Sequence, residues 1–361
     1  MRKFIGFERG MGIGGWLTNY KRFHLLGNDK KRILTIGDYE HFQSYITEND
    51  VKNIADMGFD HIRLGFDQVV VEDENGNYRE NIFSLLDSFI AWCEKYKINV
   101  VLNLHKAIGN YCDVGDDVSL FDDKNLQDGF VKLWLYFEKR YAFKPAVAFE
   151  LLNELSTTAA DEWNKIAWRT IGEIRKLNKD RKIIVGGIEF NSVYGLKDIE
   201  VRDDENVIYT FHMYEPFEFT HQRGVLHTGP CFYNRDMPYP SDIERYKDFR
   251  TTVWGQTQAY KEYEQMDKKF IHDYLAPAKE FIEKNPKAIL WCGEFGTIRH
   301  AKIEWRKAWF KDVIEFFKQN DIPYSVWNYL STPNDGNRFS LVDDDDRKIL
   351  SQDLLNILLG K

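Results

Sequence analysis

The sequence predicts an α/β fold, a (β/α)8 TIM barrel formed by the whole chain, 1–361, with a helical subdomain inserted at 215–286 between the sixth and seventh strands. Three observations lead there. Short apolar or β-branched runs alternate with longer helical patterns almost from end to end, as repeated βα units of a parallel sheet require. The runs number about eight, the count that closes a barrel. Hydrophobic residues make up 43% of 361 residues, enough apolar material for one large core.

Taken in order, strands are expected at residues 10–16, 61–66, 99–105, 146–153, 182–187, 207–213, 288–294 and 324–327. Between them, residues 48–57, 83–96, 125–141 and 161–178 carry apolar positions at three- and four-residue spacing, the signature of amphipathic helices laid against a sheet. One connection breaks the pattern. Residues 215–286 separate the sixth strand from the seventh, far more than a crossover needs. The first part is aromatic and turn-rich, with Phe217, Phe219, Phe232, Tyr233 and Tyr239, and the part from 254 to 284 reads as helix. Leaving from the carboxyl end of a strand, this segment should sit over the face where barrel active sites lie, either as a cap on a substrate groove or as an inert insertion. The acidic run Asp343 to Asp346 reads as a solvated loop before the last helix.

Charge and composition exclude several partners. A formal net charge of −8 argues against nucleic acid and against an anionic membrane surface, both of which need a basic face. No run reaches transmembrane length. The apolar stretch from Phe4 to Phe7 is broken at Glu8, too short for a secretory leader, so the chain as written reads as cytoplasmic, or as secreted if a leader was removed. Cys93, Cys112, Cys231 and Cys292 are scattered without C-x-x-C spacing and read as free thiols, with neither a zinc site nor a disulfide framework. No metal or organic cofactor is expected, and the chain reads as a monomer. Aromatic residues at 15% suit stacking on the flat faces of sugar rings.

Polar residues interrupt the strand ends, which is where a barrel places its chemistry. Arg63 follows Ile62, His105 ends Asn103-Leu104-His105, and Asn153 and Glu154 follow Leu151-Leu152. His212 and Tyr214 close the sixth run, Glu294 closes Trp291-Cys292-Gly293-Glu294, and Trp327 closes the eighth. Singly, such residues are usually surface charges, salt-bridge partners or core aromatics. One function predicts all of them together. A barrel brings the ends of strands four and seven to opposite sides of one mouth, so Glu154 and Glu294 would face each other. Cleaving a glycosidic bond needs that pair: one carboxylic acid to protonate the leaving oxygen and one carboxylate to meet the oxocarbenium-like carbon.

The set Arg63, His105, Asn153-Glu154, His212-x-Tyr214, Glu294 and Trp327 resembles the motif set of glycoside hydrolase family 5, the cellulase family of the four-over-seven barrel clan. Stretches such as Ile13-Gly14-Gly15-Trp16, Gly58-Phe59-Asp60-His61-Ile62-Arg63-Leu64, Phe219-Thr220-His221-Gln222 and Trp291-Cys292-Gly293-Glu294-Phe295-Gly296 are similar to the clostridial endoglucanase C type, whose members carry a helical subdomain after the sixth strand. The resemblance implies a retaining mechanism. Glu294 would be the nucleophile, with Arg63 and Tyr214 keeping it ionised and oriented. Glu154 would be the general acid/base, its proton affinity raised by the neighbouring charge and by desolvation, with His212 beside it. Asn153 would bind the sugar 2-hydroxyl, His105 an adjacent hydroxyl, and Trp327 would form the stacking floor. Trp16 would either support the barrel or touch substrate.

Two departures stand out. Asn103-Leu104-His105-Lys106 replaces the Asp and second His of the family's Asp-x-His-His, and Arg63-Leu64-Gly65 stands where Arg-Leu-Pro is frequent. Both leave the carboxylates intact and fall where the sugar is read; the loop at 107–120, with Tyr111 and several acidic residues, should line the same groove. The expected activity is a retaining endo-β-1,4-glucanase or mixed-linkage β-glucanase acting on a β-glucan or its oligosaccharides. Alternatives are a β-mannanase or exo-β-1,3-glucanase of the same family, and from another class a catalytically silent carbohydrate-binding barrel. A barrel for phosphate-bearing substrates would need a glycine-rich cup after the last strands, and the segment 331–337 is dominated instead by acidic and amide residues.

Overall fold

The computed structural model describes residues 2–20, 33–111, 117–332 and 335–361. Cys112, part of the 107–120 loop and part of the 331–337 segment lie outside the described residues. Eight parallel strands close a ring in sequence order: Arg9–Leu17, His61–Asp67, Asn99–Lys106, Val147–Glu150, Ile183–Gly186, Val207–Met213, Ile289–Phe295 and Tyr324–Val326. Closure is made by the first strand pairing with the last, Gly10 opposite Ser325 and Met11 opposite Val326. All eight expected strands are present, most within a residue or two of the expected limits. The fourth is shorter, because the chain leaves the ladder after Glu150, and Asn153 and Glu154 stand in the loop beyond it.

The ring is packed in two zones. Inside its lower end, Phe4, Phe7, Val101, Ala148, Ile184, Ile208, Ile289 and Trp291 form a separate buried cluster. Phe4 and Phe7 stack at 4.2 Å, and Phe4 meets Trp291 edge-on at 6.0 Å, so the segment before the first strand plugs the barrel floor. His61 joins this layer against Phe7 and Trp291, and only a glycine fits opposite it: a Cβ on Gly10 would lie 2.0 Å from the imidazole. The main core lies between strands and helices. The helices Glu48–Met57, Glu80–Lys95, Lys124–Tyr141 and Ala160–Leu177 bury apolar faces there, as their spacing requires.

The long connection departs from the expected single helical stretch. A helix occupies Glu244–Trp254 and stops at Gly255, whose φ of 66° gives the left-handed turn that ends helices. Residues Ser241–Asp242 and Gln265–Met266 then pair as a short antiparallel ribbon. Helix resumes only at Lys268–Tyr274, where Asp267 accepts from the Lys269 amide, and at Ala276–Lys284, which carries Pro277 in its first turn. These last two helices pack against the strand Ile289–Phe295 and the helix Ile303–Gln319, so the end of the connection belongs to the ordinary outer ring of the barrel. The acidic run is not wholly solvated either: Asp344 accepts from Arg299 at 3.0 Å and from the Ser331 amide at 3.3 Å.

Cys93 and Cys292 are buried free thiols and Cys231 is an exposed one. Among the described residues no helix is long and apolar enough to cross a membrane.

Candidate active site

The carboxyl ends of the strands converge on one polar cluster. Arg63, on the second strand, is fully buried and sends its guanidinium across the barrel. Its Nε and Nη2 donate to the two oxygens of Glu150 at 2.6 and 2.8 Å, a bidentate pair inside the ring. The same Nη2 donates to Asn153 Oδ1 at 2.7 Å, and Nη1 donates to Glu294 Oε1. Tyr214 Oη donates to the other oxygen of Glu294 at 2.8 Å. Both oxygens of Glu294 are thus held, and its orientation is set.

A local irregularity brings His212 beside this pair. Along the sixth and seventh strands Phe211 lies opposite Cys292, but His212 lies opposite Glu294, so Gly293 is the extra residue of a bulge. A Cβ there would meet Thr210 Oγ1 at 2.7 Å and His212 Nε2 at 3.3 Å, which leaves glycine as the residue that fits. His212 Nδ1 is 2.9 Å from Glu154 Oε1 and 3.9 Å from Glu294 Oε2. Glu154 follows its strand by four residues and takes a left-handed φ of 34°, which turns its side chain back over the mouth. One ligand-capable atom from each of Glu154, His212 and Glu294 lies within 4.8 Å of the other two.

Burial separates the two glutamates. Glu294 is 4% exposed, and burial raises its proton affinity above the ordinary carboxylate value; Arg63, His212 and the Tyr214 hydrogen bond pull the other way. The expectation that Arg63 and Tyr214 favour the ionised form holds in direction, while desolvation works against them. Glu154 is more open, its side chain 23% exposed. Burial lowers His212 to about 4, so its ring is neutral near neutral pH. Replacing Tyr214 with phenylalanine removes a donor that favours the ionised carboxylate. The acidic limb of the kcat/KM–pH profile is therefore expected to move to higher pH by roughly one unit, and an unmoved limb would exclude this role for the hydroxyl.

Another side of the cluster is built from Trp327 and His105. Their rings stack at 5.7 Å and 12°. Trp327 lies on the first strand where Gly12 and Gly14 leave room for it; a Cβ on Gly14 would sit 2.6 Å from its ring. His105 is held at both nitrogens, Nδ1 by Asn103 Oδ1 at 3.0 Å and Nε2 by Asn19 Nδ2 at 3.2 Å. Lys106 Nζ donates to Asn19 Oδ1 at 2.5 Å, so this lysine is tied into the network. A sugar hydroxyl can engage Nε2 of His105 only in exchange for the Asn19 amide. Trp16 is a barrel support: it is 1% exposed and donates to the Phe42 carbonyl at 2.7 Å. Tyr111 is 1% exposed, packed inside rather than lining a groove.

All eight expected site residues, Arg63, His105, Asn153, Glu154, His212, Tyr214, Glu294 and Trp327, lie at this one end of the barrel. Glu150 and Asn19 were not anticipated. Glu150 carried a signal, since strand alternation places it on the same inward side as Ala148, where a charge demands a partner. Asn19 carried none. Glu154, His212 and Glu294 are close enough to share a cation, but Arg63 already supplies positive charge to Glu294 and His212 Nδ1 is turned to Glu154, a donor set arranged for proton transfer rather than for metal ligation.

Residues 26–332 match the family model described as cellulase (glycosyl hydrolase family 5). The chain belongs to glycosyl hydrolase family 5. It is therefore a glycosidase. Endoglucanase C of Acetivibrio thermocellus is 36% identical over 362 aligned residues, 98% of this chain and 98% of that protein. Cellodextrinase A of Ruminococcus flavefaciens is 31% identical over 327, covering 89% of this chain and 85% of the other. Thermotoga maritima Cel5A, solved with cellobiose, shares the fold with a TM-score of 0.73 at 24% identity over 98% of this chain and 97% of its own.

Proposed function

We propose that this family 5 enzyme is a retaining endo-β-1,4-glucanase with Glu294 as nucleophile and Glu154 as general acid/base. The spacing of the carboxylates carries the reading. Retaining glycosidases hold their carboxyl groups roughly 5 to 5.5 Å apart and inverting ones roughly 6.5 to 9.5 Å, because an inverting enzyme must fit a water between carboxylate and sugar. One oxygen of Glu154 lies within 4.8 Å of one oxygen of Glu294, a closeness that supports the shorter, retaining spacing.

The steps follow from the groups present. Glu294, its oxygens held by Arg63 and Tyr214, attacks the anomeric carbon as Glu154 gives its proton to the departing oxygen. Glu154 then takes a proton from water, which displaces Glu294 and releases the sugar with its original anomeric configuration. In this reading Asn153, held by Arg63, binds the 2-hydroxyl, and Trp327 stacks beneath the ring.

The endoglucanase and cellodextrinase names of the relatives favour a β-1,4-glucan or its oligosaccharides over a mannan. Both carboxylates are present and oriented, which disfavours a silent binding barrel. Proton NMR of the first product from a cellooligosaccharide tests the mechanism: the β-anomer should appear first and mutarotate afterwards. Appearance of the α-anomer first would overturn retention. Cleavage of carboxymethyl-cellulose, lichenan, laminarin and mannan compared side by side tests the substrate, with the first two expected to be cut fastest.

A further inference from the structure

The loop after the fifth strand contains a conformation that needs a reason. Glu189, Phe190 and Asn191 have φ of 56°, 59° and 56°, three successive non-glycine residues in the left-handed region. Side chains ordinarily enter that region singly, since Cβ crowds the following carbonyl at each step. Here the turn is pinned to the residue after Glu154: the Phe190 amide donates to the Leu155 carbonyl at 3.0 Å. It carries Asn191 into the barrel, fully buried, against Gly186, where a Cβ would lie 2.3 Å from Asn191 Oδ1. Asn191 Nδ2 then lies 3.4 Å from His212 Nε2, a long hydrogen bond, while its Oδ1 has no partner among the described residues. A residue kept only to fill space would not need a buried amide with half its capacity unmet.

We propose that Asn191 is a positioning residue that fixes the ring tautomer of His212 and thereby the oxygen of Glu154 on which the transferable proton resides. The inference rests on the reading of Glu154 as acid/base. Asn191 Nδ2 can only donate, so His212 Nε2 accepts and Nδ1 carries the hydrogen. That hydrogen is given to Glu154 Oε1, and the proton of the carboxylic acid is left on Oε2. In the opposite tautomer Nδ1 would be a lone pair 2.9 Å from Glu154 and would draw the acid's proton to itself, away from the leaving oxygen. Asn191 selects against that state. The other charged or titratable groups acting on the His212 ring are Glu294, Arg63, Glu150 and His105. None of them touches Nε2 among the described residues, so the tautomer is left to the amide.

Asn191→Asp tests this, because it keeps the size and the tolerance of positive φ but can only accept. Phenyl β-cellobioside needs its leaving group protonated and 2,4-dinitrophenyl β-cellobioside does not. On the phenyl substrate kcat/KM is expected to fall on the order of 10- to 100-fold, within the reach of general acid catalysis, and on the dinitrophenyl substrate by less than about threefold. An Asp beside Nε2 also favours the imidazolium, which stabilises the Glu154 carboxylate, so the alkaline limb of the pH profile should move to lower pH. Asn191→Gly, which suits the turn and lacks any amide, should show the same split between substrates. Equal losses on both substrates in both variants, or no loss, would overturn the proposal. Glu154→Gln is measured alongside: if it fails to split the two substrates, it is the acid/base assignment that falls.

Discussion

Glu294→Gln is expected to lower kcat on cellooligosaccharides by roughly four to six orders of magnitude, with the melting temperature within a few degrees of the parent. The amide keeps the shape and can still meet Tyr214, but it has no charge to give to the anomeric carbon or to Arg63. A covalent probe separates this from mere loss of binding. An activated 2-deoxy-2-fluoro cellobioside should trap a glycosyl–enzyme ester, and peptide mass analysis should place the sugar on the peptide containing Glu294. Labelling of Glu150 or Glu154 instead would reassign the nucleophile.

The second large effect belongs to Glu154→Ala. With a poor leaving group, kcat/KM should drop by roughly two to four orders of magnitude, the usual range for loss of a general acid. With a dinitrophenyl leaving group kcat/KM should be nearly retained. The same carboxylate serves as base for the second half of the reaction, so kcat should still collapse and the glycosyl–enzyme should accumulate as a burst. Azide, which attacks without needing a base, should restore turnover and yield the β-glycosyl azide. Absence of any leaving-group dependence would remove Glu154 from the proton-transfer role.

The barrel was legible because its elements obey periodicities that a sequence displays directly. Residues 207–213 read as strand and are strand, since every position there is buried on both faces and the run is nearly all apolar. The strand-end residues were legible for a related reason: Arg63 or Glu294 in an apolar run costs free energy unless a partner waits across the barrel. The long connection was legible only in its existence. Its helices are interrupted by Gly255 and a two-residue ribbon, where the pairing partner is set by tertiary contact and not by local pattern. Asn191 was silent for the same cause. Its role depends on three successive left-handed residues, and only Asn191 among Glu189, Phe190 and Asn191 is a type that favours such a conformation.

Arg63 is one cation divided between two anions, Glu150 and Glu294, with a neutral imidazole beside them. The two carboxylates thus share a single guanidinium, and the other buried cation at this end, Lys106, is bound to Asn19. As the glycosidic bond stretches, positive charge grows on the sugar ring, and the carboxylate of Glu294 beside it stabilises that charge. Such a site should discriminate by charge more than by shape, holding a protonated ring-nitrogen sugar mimic well above an uncharged mimic of the same outline.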